Sequence, residues 1–252
     1  MVNKNNKLHQ LFQRLSILID QGGFSFYLHH TNPEKSKSAG KHKVEDIFGS
    51  KSLKLFKHQL KDILKTYNFK EVKVAFANSY YAFVPEDYYH EEAKADYLKY
   101  NVELFEGDHI TTDYIEAPQV QQVYIPLMNY HNSILELIDE FEYQHFTNVL
   151  MQHAQPKDFD NENYINVYVR QNSIDILAYE GMKFKLCNSF AYDTDYDLAY
   201  YVLFALEQLN FNQLEVQMNL YHDSDQTSWL EVLKRYVKHV HCNRTDLAAL
   251  IQ

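Results

Sequence analysis

Leu15-Ser16-Ile17-Leu18-Ile19-Asp20-Gln21-Gly22-Gly23-Phe24-Ser25-Phe26-Tyr27-Leu28 is two apolar runs folded about a double glycine. Gly-Gly permits the positive φ angles of tight turns, and β-branched and aromatic residues suit the flanking strands, so the stretch reads as a β-hairpin. It has an echo 150 positions further on. Ser16-Ile17-Leu18-Ile19-Asp20-Gln21-Gly22-Gly23-Phe24-Ser25-Phe26 lies over Asn166-Val167-Tyr168-Val169-Arg170-Gln171-Asn172-Ser173-Ile174-Asp175-Ile176 without a gap, polar turn on polar turn and strand on strand.

Outward from the first hairpin, residues 31–41 read as a polar, flexible loop and residues 44–48 as a short third strand. From Ser52, the apolar Leu53, Phe56, Leu60, Ile63, Leu64 and Tyr67 share one helical face with Lys54, Lys57, Lys61 and Lys65 around the others, which predicts an amphipathic helix. Residues 71–76 alternate as a strand, and 79–84 extend or re-enter the sheet. Pro85-Glu86-Asp87 resembles a helix start, with a helix to about residue 100. Strands at 110–116 and 120–125, a helix at 132–141 and a strand at 145–151 close the first half. Residues 155–163, rich in turn formers, form the linker.

The second half repeats the order. After the echo hairpin come a third strand at 183–191 and a helix from Asp193-Thr194-Asp195 through Leu209, apolar nearly all round and expected between layers. Then follow a strand at 213–220, a last helix from Asp225 or from Ser228 with Glu231 as a capping box, and a strand at 237–242. Asn68-Phe69-Lys70-Glu71-Val72-Lys73-Val74 lies over Asn210-Phe211-Asn212-Gln213-Leu214-Glu215-Val216 at a spacing of 142. Self-similarity of this kind takes precedence over local patterns, and it predicts an α/β fold with mixed sheets and an internal duplication of a β-β-β-α-β-α unit. The chain divides into a tail at 1–13, a first half at 14–160 with an elaboration at about 101–155, and a second half at 161–252.

Composition bounds the function. The chain has 252 residues, 46% of them hydrophobic, with 21 Tyr and 16 Phe against six Gly and five Pro, which favours strand-rich structure over a helical bundle. No apolar run approaches the roughly 20 residues of a membrane span, and the expectation is a soluble, cytoplasmic protein. Cys187 and Cys242 are too few and too far apart for a disulfide framework or a zinc site, and read as small buried hydrophobes. A net charge of −10 argues against general nucleic-acid binding. The charge is uneven: residues 31–70 hold ten Lys and four acids, so that segment is +6 and the remainder −16. A basic patch of this kind docks an acidic partner or a second copy, or is a solvated helix face. His239 and His241 share a strand face near His222, but three His without a fourth ligand fall short of a metal site. The pairs Tyr80-Tyr81, Tyr88-Tyr89 and Tyr200-Tyr201 either line a groove or alternate between core and surface.

The duplicated β-β-β-α-β-α unit resembles the actin, Hsp70 and sugar-kinase superfamily, and Leu-Ser-Ile before the Gly-Phe-Ser-Phe turn is similar to a bacterial family of unknown function, domain of unknown function 3822, associated with the actin-like ATPase fold. In that superfamily two such halves clasp Mg-ATP. The resemblance implies that Asp20 acts on metal and water while Gly22 and Gly23 let backbone N–H groups approach phosphate. The second hairpin departs from the pattern. It offers Arg170, Gln171, Asn172 and Ser173, with Arg where an Asp belongs and no Gly. An Arg cannot coordinate a cation, though it can contact an anion, and Cβ atoms crowd the approach of a phosphate. No adenosine-binding Gly-Gly follows, since Gly181 is the last glycine.

Two readings follow. The favoured one is a catalytically degenerate actin-like protein serving as a binding or scaffold module for a protein partner or a second copy, with no catalytic residues, metal or cofactor. The other is an ATP-binding enzyme or switch with an unorthodox phosphate site at Asp20, Gly22, Gly23 and Arg170.

Overall fold

The structure, a computed structural model, describes residues 10–155 and 162–252. Its first half opens with three meandering strands, β1 (Gln10–Asp20), β2 (Gly23–His29) and β3 (Lys37–Lys43). Helix α1 (Ser50–Thr66) then crosses back to β4 (Tyr67–Ala77), which lies parallel to β1. An insertion follows, with β5 (Tyr81–Pro85), the short α2 (Lys94–Leu98), β6 (Thr111–Ile115) and β7 (Val120–Tyr124), forming a three-stranded sheet in the order β5-β7-β6. Helix α3 (Met128–Leu135), β8 (Glu142–His145) and α4 (Phe146–Ala154) complete the half.

The second half has β9 (Asn163–Val169), β10 (Ser173–Glu180), β11 (Lys183–Ala191), α5 (Asp195–Gln208), β12 (Gln217–His222), α6 (Ser228–Leu233) and β13 (His239–Arg244), and ends in a 3₁₀ turn at Leu247–Leu250. The two five-stranded sheets, β3-β2-β1-β4-β8 and β11-β10-β9-β12-β13, have the same order. In both, the first two pairings are antiparallel and the last two parallel.

Strand alternation decides the layers. In β1, Leu15, Ile17 and Ile19 point to a core with Phe56 and Leu60 of α1 and Tyr130 and Ile134 of α3. In β9 and β10, Ile165, Val167, Val169, Ile174 and Ile176 point to a core with Leu198 and Val202 of α5 and Leu233 of α6. The opposite faces meet a shared middle layer, where Leu18, Tyr168, Leu177 and Tyr179 pack with Phe146, Leu150 and Met151 of α4 and with Leu247, Ala248 and Ile251. The C-terminus is tied to β1, since Ser16 Oγ donates to the Ile251 carbonyl at 2.8 Å and Arg14 Nη1 donates to it at 3.2 Å. Among the described residues no helix is long and apolar enough to cross a membrane.

Several elements differ from expectation. Strand β1 starts at Gln10, inside the expected tail. The third strand is Lys37–Lys43, within the expected flexible loop, while 44–48 is turn. An edge strand open to water needs no apolar face, and β3 gets its order from pairing with β2. The helix expected over 85–100 is two 3₁₀ turns and the five-residue α2. The expected helix at 132–141 begins four residues earlier, as α3. The expected strand at 145–151 is α4, buried on nearly every side, where periodicity cannot separate helix from strand. Helix α5 exposes Tyr196, Tyr200 and Phe204, so it is not enclosed between layers, and it is capped by the Thr194–Asp197 box. Helix α6 follows Thr227, with no capping hydrogen bond from its side chain, in place of the expected Ser228–Glu231 box. Most of the expected linker, residues 156–161, lies outside the described residues. Cys187 is partly buried as a free thiol, but Cys242 is exposed. In each tyrosine pair one ring is more exposed than its neighbour, and Tyr81 is buried.

The 142-residue spacing is also out of register. In the sheets Leu18 stands beside Ala75 and Tyr168 beside Tyr221, so equivalent positions of β4 and β12 lie 146 apart. The Asn-Phe match at 68 and 210 places a strand residue against a helix-terminal turn, where Asn210 takes a positive φ of 56°. Because α4 joins both sheets, Phe146→Ala is expected to cost about 3–5 kcal/mol in urea unfolding, the range for a fully buried aromatic.

Candidate functional site

Where β1 ends and β2 begins, the chain reverses in two residues, and each glycine has a steric reason. A Cβ on Gly23 would lie 2.0 Å from the His42 carbonyl oxygen of β3. A Cβ on Gly22 would lie 3.1 Å from the Gln171 Cβ, so the two hairpin turns meet face to face. Lys41 of β3 pairs with Asp223, just beyond β12, across the same junction. The space left among Asp20, Ser25, Lys41, Arg170, Gln171 and Asp223 is about 20 Å³, room for roughly one water.

The Gly22 N–H donates to Asp20 Oδ1 at 2.7 Å. The turn amide that a phosphate would need is therefore used by the carboxylate of the same turn. Loss of solvent raises the Asp20 pKa, opposed by the positive charge of Arg170 and by the turn amides.

Arg170 is not left to face an anion. Its Nε donates to Asp175 Oδ2 at 2.8 Å and its Nη2 to Asp175 Oδ1 at 3.0 Å, a two-pronged pair with side chains 3% and 1% exposed. Ser189 Oγ donates to Asp175 Oδ1 at 2.5 Å, and the Tyr81 hydroxyl of the insertion lies 2.9 Å from Ser189 Oγ. Tyr192 OH donates to the Arg170 carbonyl at 2.9 Å. The chain from Tyr81 to Arg170 thus crosses from the first half into the second. Burial works against the Arg170 charge, but Asp175 and Asp20 outweigh it and its pKa rises.

Asp20, Gly22, Gly23 and Arg170 therefore do come together. Their partners Asp175, Ser189, Tyr81 and Gln171 were not among the expected site residues. Asp175 had a visible signal, an acid between Ile174 and Ile176 on a strand five residues after Arg170. Ser189 had none, and the Tyr80-Tyr81 pair marked Tyr81 only as groove or core, because tertiary packing alone brings the two near.

A second buried polar group lies beside it. His145, fully buried at the end of β8, takes Gln122 Nε2 at 2.8 Å and Thr147 Oγ1 at 2.7 Å on Nδ1, and its Nε2 lies 3.2 Å from the Asn78 carbonyl. That arrangement suits a neutral ring with its proton on Nε2. Burial, helped by the charge of Arg170, pushes its pKa down to about 3. The expected histidine trio does not gather: His239 and His241 stand beside Gln217 and Asn219, while His222 stands beside Arg244. Among the described residues no three His, Cys, Asp or Glu side chains are placed to hold a metal ion.

The comparisons with known proteins fit this architecture. A family described as "Protein of unknown function (DUF3822)" matches residues 3–240. Among solved structures, the chain is similar to a protein of Bacteroides thetaiotaomicron VPI-5482 with an actin-like ATPase fold and unknown function, at TM-score 0.77 and 21% identity over 99% of this chain and 98% of that one. It is also similar to a chain of the PilM–PilN type IV pilus biogenesis complex, at 0.62 and 11% over 95% and 90%. The ethanolamine utilization protein EutJ from Carboxydothermus hydrogenoformans matches at 0.51 and 8% over 94% and 90%. At these identities the likenesses show the fold, which is actin-like. No curated protein matches the sequence.

Two outcomes follow from the buried groups. Arg170→Met is expected to destabilise by about 3–5 kcal/mol, because it leaves Asp175 buried and unpaired, whereas Arg170→Met with Asp175→Leu recovers most of that loss in denaturant unfolding. His145 binds its proton less readily folded, at about 3, than unfolded, near 6.5, so the unfolded chain takes up more protons between those values and stability falls as pH drops through the window. His29, held down to about 4 by burial, acts in the same direction. In His145→Gln the loss between about pH 6 and about pH 4 should shrink, by up to about 1.4 kcal/mol per pH unit, without vanishing.

Proposed function

The chain belongs to the DUF3822 family, and on that premise we propose that it is a catalytically degenerate actin-like protein that works as a binding or scaffold module. The observation that carries this reading is the space between the two hairpin turns. It measures about 20 Å³, against about 300–1,000 Å³ for pockets that hold small molecules and cofactors. Widening it means parting Gly22 from Gln171 and breaking the Lys41–Asp223 pair. It would still leave Arg170 committed to Asp175 and the Gly22 amide committed to Asp20.

A protein partner is part of the reading. A chain of this fold is present in the PilM–PilN complex, so the architecture is compatible with assembly. A cytoplasmic setting goes with the two free thiols, since unpaired cysteines persist in reducing compartments.

Calorimetry with Mg-ATP on the wild type and on Asp20→Ala separates this reading from the nucleotide one. No binding up to millimolar ATP is expected. Micromolar binding that Asp20→Ala abolishes would overturn the scaffold reading and assign Mg-ATP to Asp20, Gly22 and Gly23.

A further inference from the structure

A cavity of about 540 Å³ opens where the insertion meets the first half, and it shares no lining residue with the space between the hairpins. We infer that it binds a protonated amine carried on an apolar or aromatic stem. This goes beyond the scaffold reading and stands or falls without it. The size falls in the range of ligand pockets, about 300–1,000 Å³.

The walls decide the class of ligand. Phe48 and Phe105 line the cavity and are 58% and 66% exposed. Neither ring stacks on another described aromatic. Tyr80 and Met128 add further apolar and polarizable surface. Two bare phenyl rings at one opening are unfavourable in water, and a ligand seated between them would remove that exposure.

Charge narrows the choice. The lining carries Glu103 and Asp108 against a single basic side chain, His109, and no Lys or Arg. The loop that brings them, residues 101–109, adds Glu106, so three acids stand against His109 with no Lys or Arg. Asp108 Oδ2 accepts the Phe105 N–H at 2.8 Å, which fixes the backbone that presents the Phe105 ring. Glu103 is exposed and, among the described residues, its carboxylate makes no hydrogen bond or ion pair. An anion would face repulsion here and a neutral apolar ligand would leave the carboxylates unused. A cation gains from both, through the carboxylates and through the negative faces of the rings.

That chemistry has two sources, a free amine or a lysine side chain of a protein. Phenylethylamine, phenylethanol and phenylacetate share a ring and differ in charge, so their binding can be compared by calorimetry, with urea unfolding to confirm that variants stay folded. Phenylethylamine is expected to bind in the millimolar range and about fivefold or more tighter than the neutral and anionic probes. Glu103→Gln should remove most of that preference, and Phe105→Ala should weaken the amine by about tenfold. An N-acetylated Phe-Lys amide that binds tighter than phenylethylamine points to a protein lysine, and one that binds more weakly points to a free amine. Equal binding of the three small probes, no binding of any, or an amine affinity unchanged in folded Glu103→Gln and Phe105→Ala would each overturn the assignment.

Discussion

Both large sheets carry apolar residues on both faces, and that constraint organises the molecule. A sheet with one wet face can stand alone, but Leu18 and Ala75 in one sheet and Tyr168, Leu177 and Tyr179 in the other need a second cover. Helix α4 and the turn at Leu247–Leu250 supply it to both at once. The two halves are therefore held by a common apolar layer, and the hairpin turns at its edge come as near each other as that layer permits. The closeness of Gly22 to Gln171 is a consequence of packing elsewhere as much as of the turns themselves.

The edge of this layer also explains the polar residues buried there. Asp175 sits on the inward face of β10, in line with Leu177 and Tyr179, so its charge is removed from water by the alternation that buries its neighbours. Such a carboxylate needs a partner of opposite charge with matching geometry, and Arg170 in the same hairpin provides two donors. At the equivalent place in the first hairpin, Asp20 draws on its own turn amide and on the charge of Arg170. One arginine thus serves carboxylates from both hairpins. The charges at the two strand ends are thus directed at one another.

Much of this was legible in the residues, and the gaps have physical causes. The hairpin echo at 150 positions placed both opening strands, and the sheets align Asp20 with Arg170 as that spacing required. Strong amphipathic signals such as α1 survive translation into structure because one face is wet. Helix α4 does not, since Phe146, Val149, Leu150 and Met151 are buried along with Thr147 and Asn148. Strand β3 fails for the opposite reason: Lys37-Ser38-Ala39-Gly40-Lys41-His42-Lys43 has no apolar face to announce it, and its order comes from β2. The Asn-Phe match misled because a short identity can fall on a strand in one copy and a turn in the other. At the site, residue types close in sequence were readable and residues joined only through space were not. Arg170 and Asp20 belong to the first kind, Tyr81 and Ser189 to the second.

The distribution of charge separates two surfaces that composition alone merges. Eight of the ten lysines of residues 31–70 lie on β3 and α1, where several are already engaged: Lys57 with Glu136, Lys41 with Asp223 and Lys65 with Asp62. A patch partly neutralised by its own chain is a weaker docking signal than its count of ten suggests. The acids of the insertion loop are arranged differently. Glu103 and Asp108 line a cavity with exposed phenyl rings and with no Lys or Arg in the lining, where His109 is the one basic side chain. Concavity, bare aromatic surface and one sign of charge coincide there, while at the hairpins the space is closed and the charges are paired. Of these two recesses, the one at the base of the insertion has the room for a ligand, about 540 Å³ against about 20 Å³ between the hairpin turns.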